Sequence, residues 1–186
     1  MMWIILAGIL SFYTLFTLLD TISPARCQTQ IALWRTRGVA GFIAHYAVAF
    51  YAPVMWDGFL SDHTLADLTS WPLWSQFLLG FLVLEFVVYA WHRIMHTAEP
   101  LWRHVHQTHH SAERVDIWGA FWFHPLDMIG WAFVGSLALV GCLGISVPAA
   151  IAINLVASFC AMFQHANLRT PRWIGYIITR PESHAW

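Results

Sequence analysis

An all-α membrane protein is the fold class this sequence predicts, with about five transmembrane helices and a histidine-rich cytoplasmic face, and three observations predict it. Of its 186 residues 59% are hydrophobic and 10% charged, with a mean hydropathy of +0.58, a balance outside the range of soluble domains. Apolar runs long enough to cross a bilayer recur along the chain. Eleven histidines are present, and most of them crowd the same ends of those runs.

The length leaves room for short connections between spans but for no separate soluble domain, so residues 1–186 are read as a single membrane domain. The net charge of −1 and the absence of any long run of basic residues exclude nucleic acid as a partner. Cys27, Cys142 and Cys160 form neither a CxxC pair nor an even set and are read as free thiols. The opening MMWIILAGIL has no basic region before its apolar run, which marks a retained span and not a cleaved leader.

The predicted spans are 2–19, 38–56, 71–91, 128–145 and 147–164. Helices are required because lipid offers no water to unpaired backbone groups, and the runs are too long and too uniformly apolar for barrel strands. The last two spans are nearly contiguous, with Pro148 at the start of the second, which predicts a tight helical hairpin. Direction follows from the basic residues. Arg26, Arg35, Arg37, Arg93, Arg103, Arg114, Arg169, Arg172 and Arg180 all fall on one face of a five-span topology, while the loop 57–70 carries Asp57, Asp62 and Asp67 and no base. The amino terminus is therefore expected outside and the carboxy terminus in the cytoplasm. Trp56, Trp71, Trp74, Trp91, Trp131 and Trp173 lie near span ends and are read as interfacial anchors.

Nine histidines, His92, His96, His104, His106, His109, His110, His124, His165 and His184, lie at or beyond the cytoplasmic ends of spans. His45, within a span, and His63, in the outer loop, are assigned no chemistry. In WHRIMH the i,i+4 spacing sets His92 and His96 about 40° apart on one helical face, close enough to share a metal. In HVHQTHH a short helix begins near Pro100, and His106, His109 and His110 fall at i, i+3 and i+4, while His104 points nearly the opposite way. Imidazole suits iron, zinc, copper and nickel, and five such residues exceed the needs of one mononuclear site, so two metals are implied. The competing reading is an interfacial cluster of solvated histidines.

Taken in order, EFVVYAWHRIMH, LWRHVHQTHHS, FHPLD, FQHANLR and RPESHAW resemble the fatty acid hydroxylase and sterol desaturase superfamily of membrane histidine-box oxygenases, over residues 85–186. The resemblance implies that His92 and His96 form the first box, that His106, His109 and His110 form the second, and that His165 is the isolated histidine before the third. His184 matches the opening of the third box, whose HxxHH pattern would place two further histidines just after Trp186, so the sequence is expected to be truncated there and to lack part of its ligand set. The same resemblance implies two iron ions, O2 as co-substrate, and hydroxylation or desaturation of a fatty acyl or sterol-like lipid in lipid biosynthesis. The histidines then bind and tune metal, and none is a general base.

Glu85 lies seven residues before His92, on the same helical face and about 10 Å deeper in the membrane, where a carboxylate is expected to support a ligand or bridge helices. His104 and His124 are read as supporting residues, with His124 before Pro125 also a ligand or a helix cap, and Asn154 is read as an interhelical hydrogen bonder. No GxGxxG, CxxCH or iron–sulfur cysteine set is present, so a separate ferredoxin or cytochrome-type electron donor is implied. The alternative is a non-enzymatic membrane metal-binding or metal-transport protein. Such a protein would carry polar residues along a path through the bilayer, where this chain has little besides Glu85 and Asn154. Arginine without lysine suggests a bacterial source and its inner membrane; in a eukaryote the endoplasmic reticulum would be expected.

Overall fold

The computed structural model describes residues 2–184, which form helices and their connecting segments with no β-strand among them. Ala185 and Trp186, the end of the third-box motif, and Met1 lie outside the described residues. Five helical stretches are long and apolar enough to cross a membrane, and the chain is an integral membrane protein. The first is α1 (Met2–Ile22); the second is α2 (Trp34–Tyr51), prolonged by a 3₁₀ turn over Ala52–Met55, where Pro53 has no N–H to give an α-helical ladder. The short α3 (Asp57–Asp62) follows, and then α4 (Leu73–Thr97) starts directly after Pro72. This helix runs six residues beyond its predicted end at Trp91, since nothing in His92–Thr97 interrupts the ladder before Pro100, and the extension makes the whole first box helical.

The second box is carried by α5 (Glu99–Leu101), a π-helical turn over Trp102–His106, and α6 (Gln107–His110). Next come α7 (Pro125–Ser136), continued by a π turn over Leu137–Cys142, then α8 (Val147–His165) and α9 (Pro181–His184). The hairpin connection between α7 and α8 is four residues long, 143–146, and so longer than predicted. Gly144 takes φ +48 there, and a Cβ on it would stand 2.7 Å from the Ala66 carbonyl oxygen, so glycine is required twice over. Gln76, 1% exposed, fixes the connection: its Oε1 accepts the Ser146 N–H at 2.8 Å and its Nε2 donates to the Trp71 carbonyl at 2.7 Å.

Two compact units form. One draws on the segments up to 42, 111–122 and from 155 onward. Its core holds Ile9, Tyr13, Phe16, Trp34, Phe42, Ile117, Phe121 and Met162. Here α2 meets the 118–121 segment backbone to backbone: a Cβ on Gly38 would overlap the Trp118 carbonyl, and one on Gly41 would lie 2.8 Å from the Phe121 carbonyl oxygen. At the end of α1, Asp20 accepts N–H bonds from Ile117 at 2.8 Å and Asn167 at 2.7 Å, which ties two connecting segments to one helix terminus. Asp116 similarly accepts from Trp34 Nε1 at 2.9 Å and from Arg114 Nε at 2.8 Å.

The other unit comprises 43–110 and 123–154, with Leu84, Met95, Met128, Val134, Leu139 and Ile153 in its core. Close approach at small residues recurs, since a Cβ on Gly80 would meet Ile153 at 2.6 Å and one on Gly130 would meet the Trp91 ring at 3.0 Å. Leu78, Leu82, Phe86 and Tyr89 remain exposed along α4, the surface a bilayer would cover.

Candidate metal centre

The site begins with the last two turns of α4. One helical repeat separates His92 from His96, and their Nε2 atoms lie 3.0 Å apart, a spacing two ligands of one ion adopt. Facing them are His106, from the π turn, and His110, from α6. Ligand nitrogens of all four fall within 4.8 Å of one another. Ring centroids are 4.9 Å apart for His96 and His106 and 4.6 Å for His96 and His110. A π turn inserts extra backbone and re-aims the residues around it, a device common at functional sites. His106 is fully buried, whereas His96 and His110 are exposed, so the group has one closed wall and one open one.

Asp127 forms the closed wall. Its Oδ2 accepts a hydrogen bond from His106 Nδ1 at 2.8 Å, with the two side chains 0% and 1% exposed. Donation from Nδ1 leaves the lone pair on Nε2, and that atom is buried with no hydrogen-bond partner among the described residues. A buried acceptor without a donor costs about 1–3 kcal/mol, a cost that a bound cation removes. A neutral imidazole oriented by a carboxylate is the form in which histidine binds metal. Four nitrogen donors suit iron, zinc, copper or nickel, so these residues fit a metal on their own chemistry.

Trp131 and Trp102 complete the surroundings. The Trp131 ring lies 5.8 Å from His92 and 6.4 Å from His106, and Trp102 lies 5.0 Å from His96 and 5.3 Å from His110, centroid to centroid. Trp131 is thus part of the wall of the histidine group, which corrects its reading as a bilayer anchor alone. Asp127 was missed as a site residue from sequence. Its signal was an acidic residue in the first turn of an otherwise apolar span, two positions after the Pro125 that starts α7.

His165 and His184 meet in the other unit. His165, at the end of α8, places Nδ1 2.7 Å from the Ala161 carbonyl oxygen, and its Nε2 stands 3.0 Å from Nε2 of His184 on α9. Backbone capture of Nδ1–H again leaves the Nε2 lone pair facing the partner ring. The His184 arm is tied down by Glu182, whose carboxylate accepts the Thr170 N–H and hydroxyl, both at 2.7 Å. Desolvation raises the Glu182 pKa, but hydrogen bonds from Thr170 and Arg180 outweigh it and bring the value to about 2.

The remaining expected residues lie outside the four-histidine group. His109 does not belong to the four-histidine group: one residue along a helix is about 100° of rotation from His110, and its ring stacks on Phe123 at 4.5 Å. His104 is exposed and outside the group. His124 caps α7, its Nδ1 accepting the Leu126 N–H at 3.2 Å. Glu85 is exposed on α4 and, among the described residues, makes no hydrogen bond or ion pair, so it bridges no helices here. Asn154 donates to the Ala150 carbonyl of its own helix at 2.9 Å, in place of the interhelical bond expected of it.

Comparison with known proteins bears on the family of the chain. Residues 77–186 match the model of the family described as fatty acid hydroxylase. The ornithine lipid hydroxylase OlsE of Rhizobium tropici is 32% identical over 129 residues, covering 68% of this chain and 38% of that relative. The chain therefore spans well under half the length of the curated relative it matches. No solved structure matches it. A family match over more than half the sequence, running through every histidine of the two groups, establishes that this chain belongs to the fatty acid hydroxylase family.

Proposed function

We propose that this chain is the membrane core of an iron-dependent oxygenase that hydroxylates a lipid. The observation that carries the reading is the buried His106–Asp127 pair, which fixes an unpartnered imidazole nitrogen inside a group of four histidines. His92, His96, His106 and His110 hold metal as one set, and His165 and His184 contribute a second pair of nitrogens; His109 stays in the ligand set that the family pattern implies. Two iron ions, when bound, supply the O2 activation that carbon–hydrogen bonds require. Hydroxylation is favoured over desaturation by the matched family and by the relative, whose name describes a lipid hydroxylase.

The balance of that reaction is one C–H bond and one O2 converted to C–OH and water, with two electrons and two protons taken up. A separate donor of ferredoxin or cytochrome type supplies the electrons. Arginines on the cytoplasmic side of the proposed topology set the orientation, and the exposed Arg37, Arg93 and Arg172 offer positive charge to that donor. The chain's own part is positional. Asp127 holds the His106 tautomer, Trp131 and the α7 wall limit water on one side, and the open side at His96 and His110 adjoins apolar α4 surface along which an acyl chain can lie.

The reading is tested by expressing the full-length gene product that contains this chain in a bacterial host, growing the cells under ¹⁸O2, and analysing the lipid extract by mass spectrometry. One labelled oxygen in a lipid class that the empty host lacks is the expected result, together with its loss in His92→Ala. Unlabelled lipids, with metal still bound by the purified protein, would favour the non-enzymatic metal-binding alternative.

A further inference from the structure

In the first unit, the segment that follows α8 is joined to α9 and to the residue just before it by a closed ring of polar contacts. Thr170 donates its N–H and its hydroxyl to the two oxygens of Glu182, each at 2.7 Å. Arg180 donates Nε to the Thr170 hydroxyl at 3.0 Å and Nη2 to the Thr170 carbonyl at 2.8 Å, and lies 3.1 Å from Glu182. All three side chains are only partly accessible, with Arg180 at 15% and Glu182 at 28%. One residue thus offers every polar group it owns, N–H, carbonyl and hydroxyl, to a pair two positions apart.

The placement of the ring relative to the histidines gives it a role. Thr170 lies five residues after His165, and Glu182 lies two before His184 on the single turn of α9. A four-residue helix has no stability of its own, so external contacts must hold His184 in place. Across the same loop the two Nε2 atoms stand 3.0 Å apart. At the α8 side, Asn167 is fixed independently: its N–H goes to Asp20 at 2.7 Å, its Oδ1 accepts from the Arg26 N–H at 3.0 Å and its Nδ2 donates to the Arg26 carbonyl at 2.8 Å. His165 therefore sits on an anchored helix end, and the Thr170–Arg180–Glu182 ring is what brings the His184 arm to it.

We propose that Thr170 and Glu182 are positioning residues for a metal bound by His165 and His184, closing the loop that holds the two imidazoles at ligand distance. This rests on the reading of that pair as metal ligands. Loss of the ring lets α9 move away, so that an ion keeps His165 and exchanges His184 for water. Orientation of ligands by such outer contacts is worth about 10-fold to 100-fold in metal affinity.

The test uses the full chain purified in detergent and titrated with Co²⁺, with the d–d absorption and the bound stoichiometry as readouts that do not depend on turnover. Thr170→Val and Glu182→Ala are expected to weaken one class of Co²⁺ site by about 10-fold or more and to shift its spectrum toward that of His184→Ala, leaving the class lost in His106→Ala unchanged. Thr170→Ser keeps every donor of the ring and is expected to retain wild-type binding. If His184→Ala itself leaves both classes intact, the pair is not a metal site and the proposal falls with it. If His184→Ala removes a class while Thr170→Val and Glu182→Ala do not, the ligand reading stands and the positioning role is refuted. Equal loss of both site classes in Thr170→Val, without rescue by serine, would mark general unfolding and also overturn it.

Discussion

His92 and His96 stand on consecutive turns of one long helix, and His106 and His110 on consecutive turns of the next helical stretch, so local repeat alone pairs each couple. His165 and His184 are 19 residues apart, and nothing periodic relates them; they meet because a ring of side chains closes the loop between them. The first arrangement is carried by helices with a buried carboxylate behind one ligand, and the second by a single helical turn under partly exposed contacts. Sites on long elements inherit their rigidity from the fold, whereas sites on short ones must be held by contacts added locally. Damage should therefore spread differently in the two regions.

His106→Ala should have the largest effect. It removes the one fully buried ligand of the four-histidine group, and we expect its metal affinity to fall by at least about 100-fold, measured by Co²⁺ or Fe²⁺ titration. Asp127→Ala comes next, at about 10-fold to 100-fold, because the ligand remains but its tautomer and orientation are released. An Asp127→Ala protein that binds as tightly as wild type would show that the helices alone position His106.

Acidification sharpens the same contrast. Each ligand must be neutral, so protons compete with metal, and affinity should decline as the medium is made acidic. Loss that is flat between pH 7 and 5 would mean that histidines do not carry the binding. The smallest effect on metal is expected of Gly38→Ala. A methyl there overlaps the backbone at Trp118, and overpacking of this kind costs about 1–3 kcal/mol, read as a lower thermal midpoint, while the four-histidine group, built in the other unit, keeps its affinity.

Much of this was legible before any coordinates. Five spans followed from the length of apolar runs, because a bilayer tolerates few alternatives. The convergence of His92 with His96 and of His106 with His110 followed from the helical period. What period could not decide was the difference between His109 and His110, both near His106 in sequence, since the π turn and the packing of Phe123 choose the face each presents. Asp127 and Trp131 were hidden because their role depends on which helix α7 meets, and Trp131 reads locally as an ordinary interfacial aromatic. Thr170, Arg180 and Glu182 are commonplace residues in a connecting segment, and only their mutual distances single them out. The extra turns of α4 were lost for a simpler reason: the polar character of His92–Thr97 ends the hydrophobic run but not the helix.

The central claim is that these histidines bind iron for lipid oxidation, and the most direct test is the iron content of the purified membrane protein, wild type beside the His92→Ala/His96→Ala double variant, with an optical spectrum of each. We expect iron in the wild type without a haem Soret band, and at least half of that iron lost in the variant. Iron-free wild type after anaerobic loading with Fe²⁺, or iron content unchanged by removing His92 and His96, would contradict it.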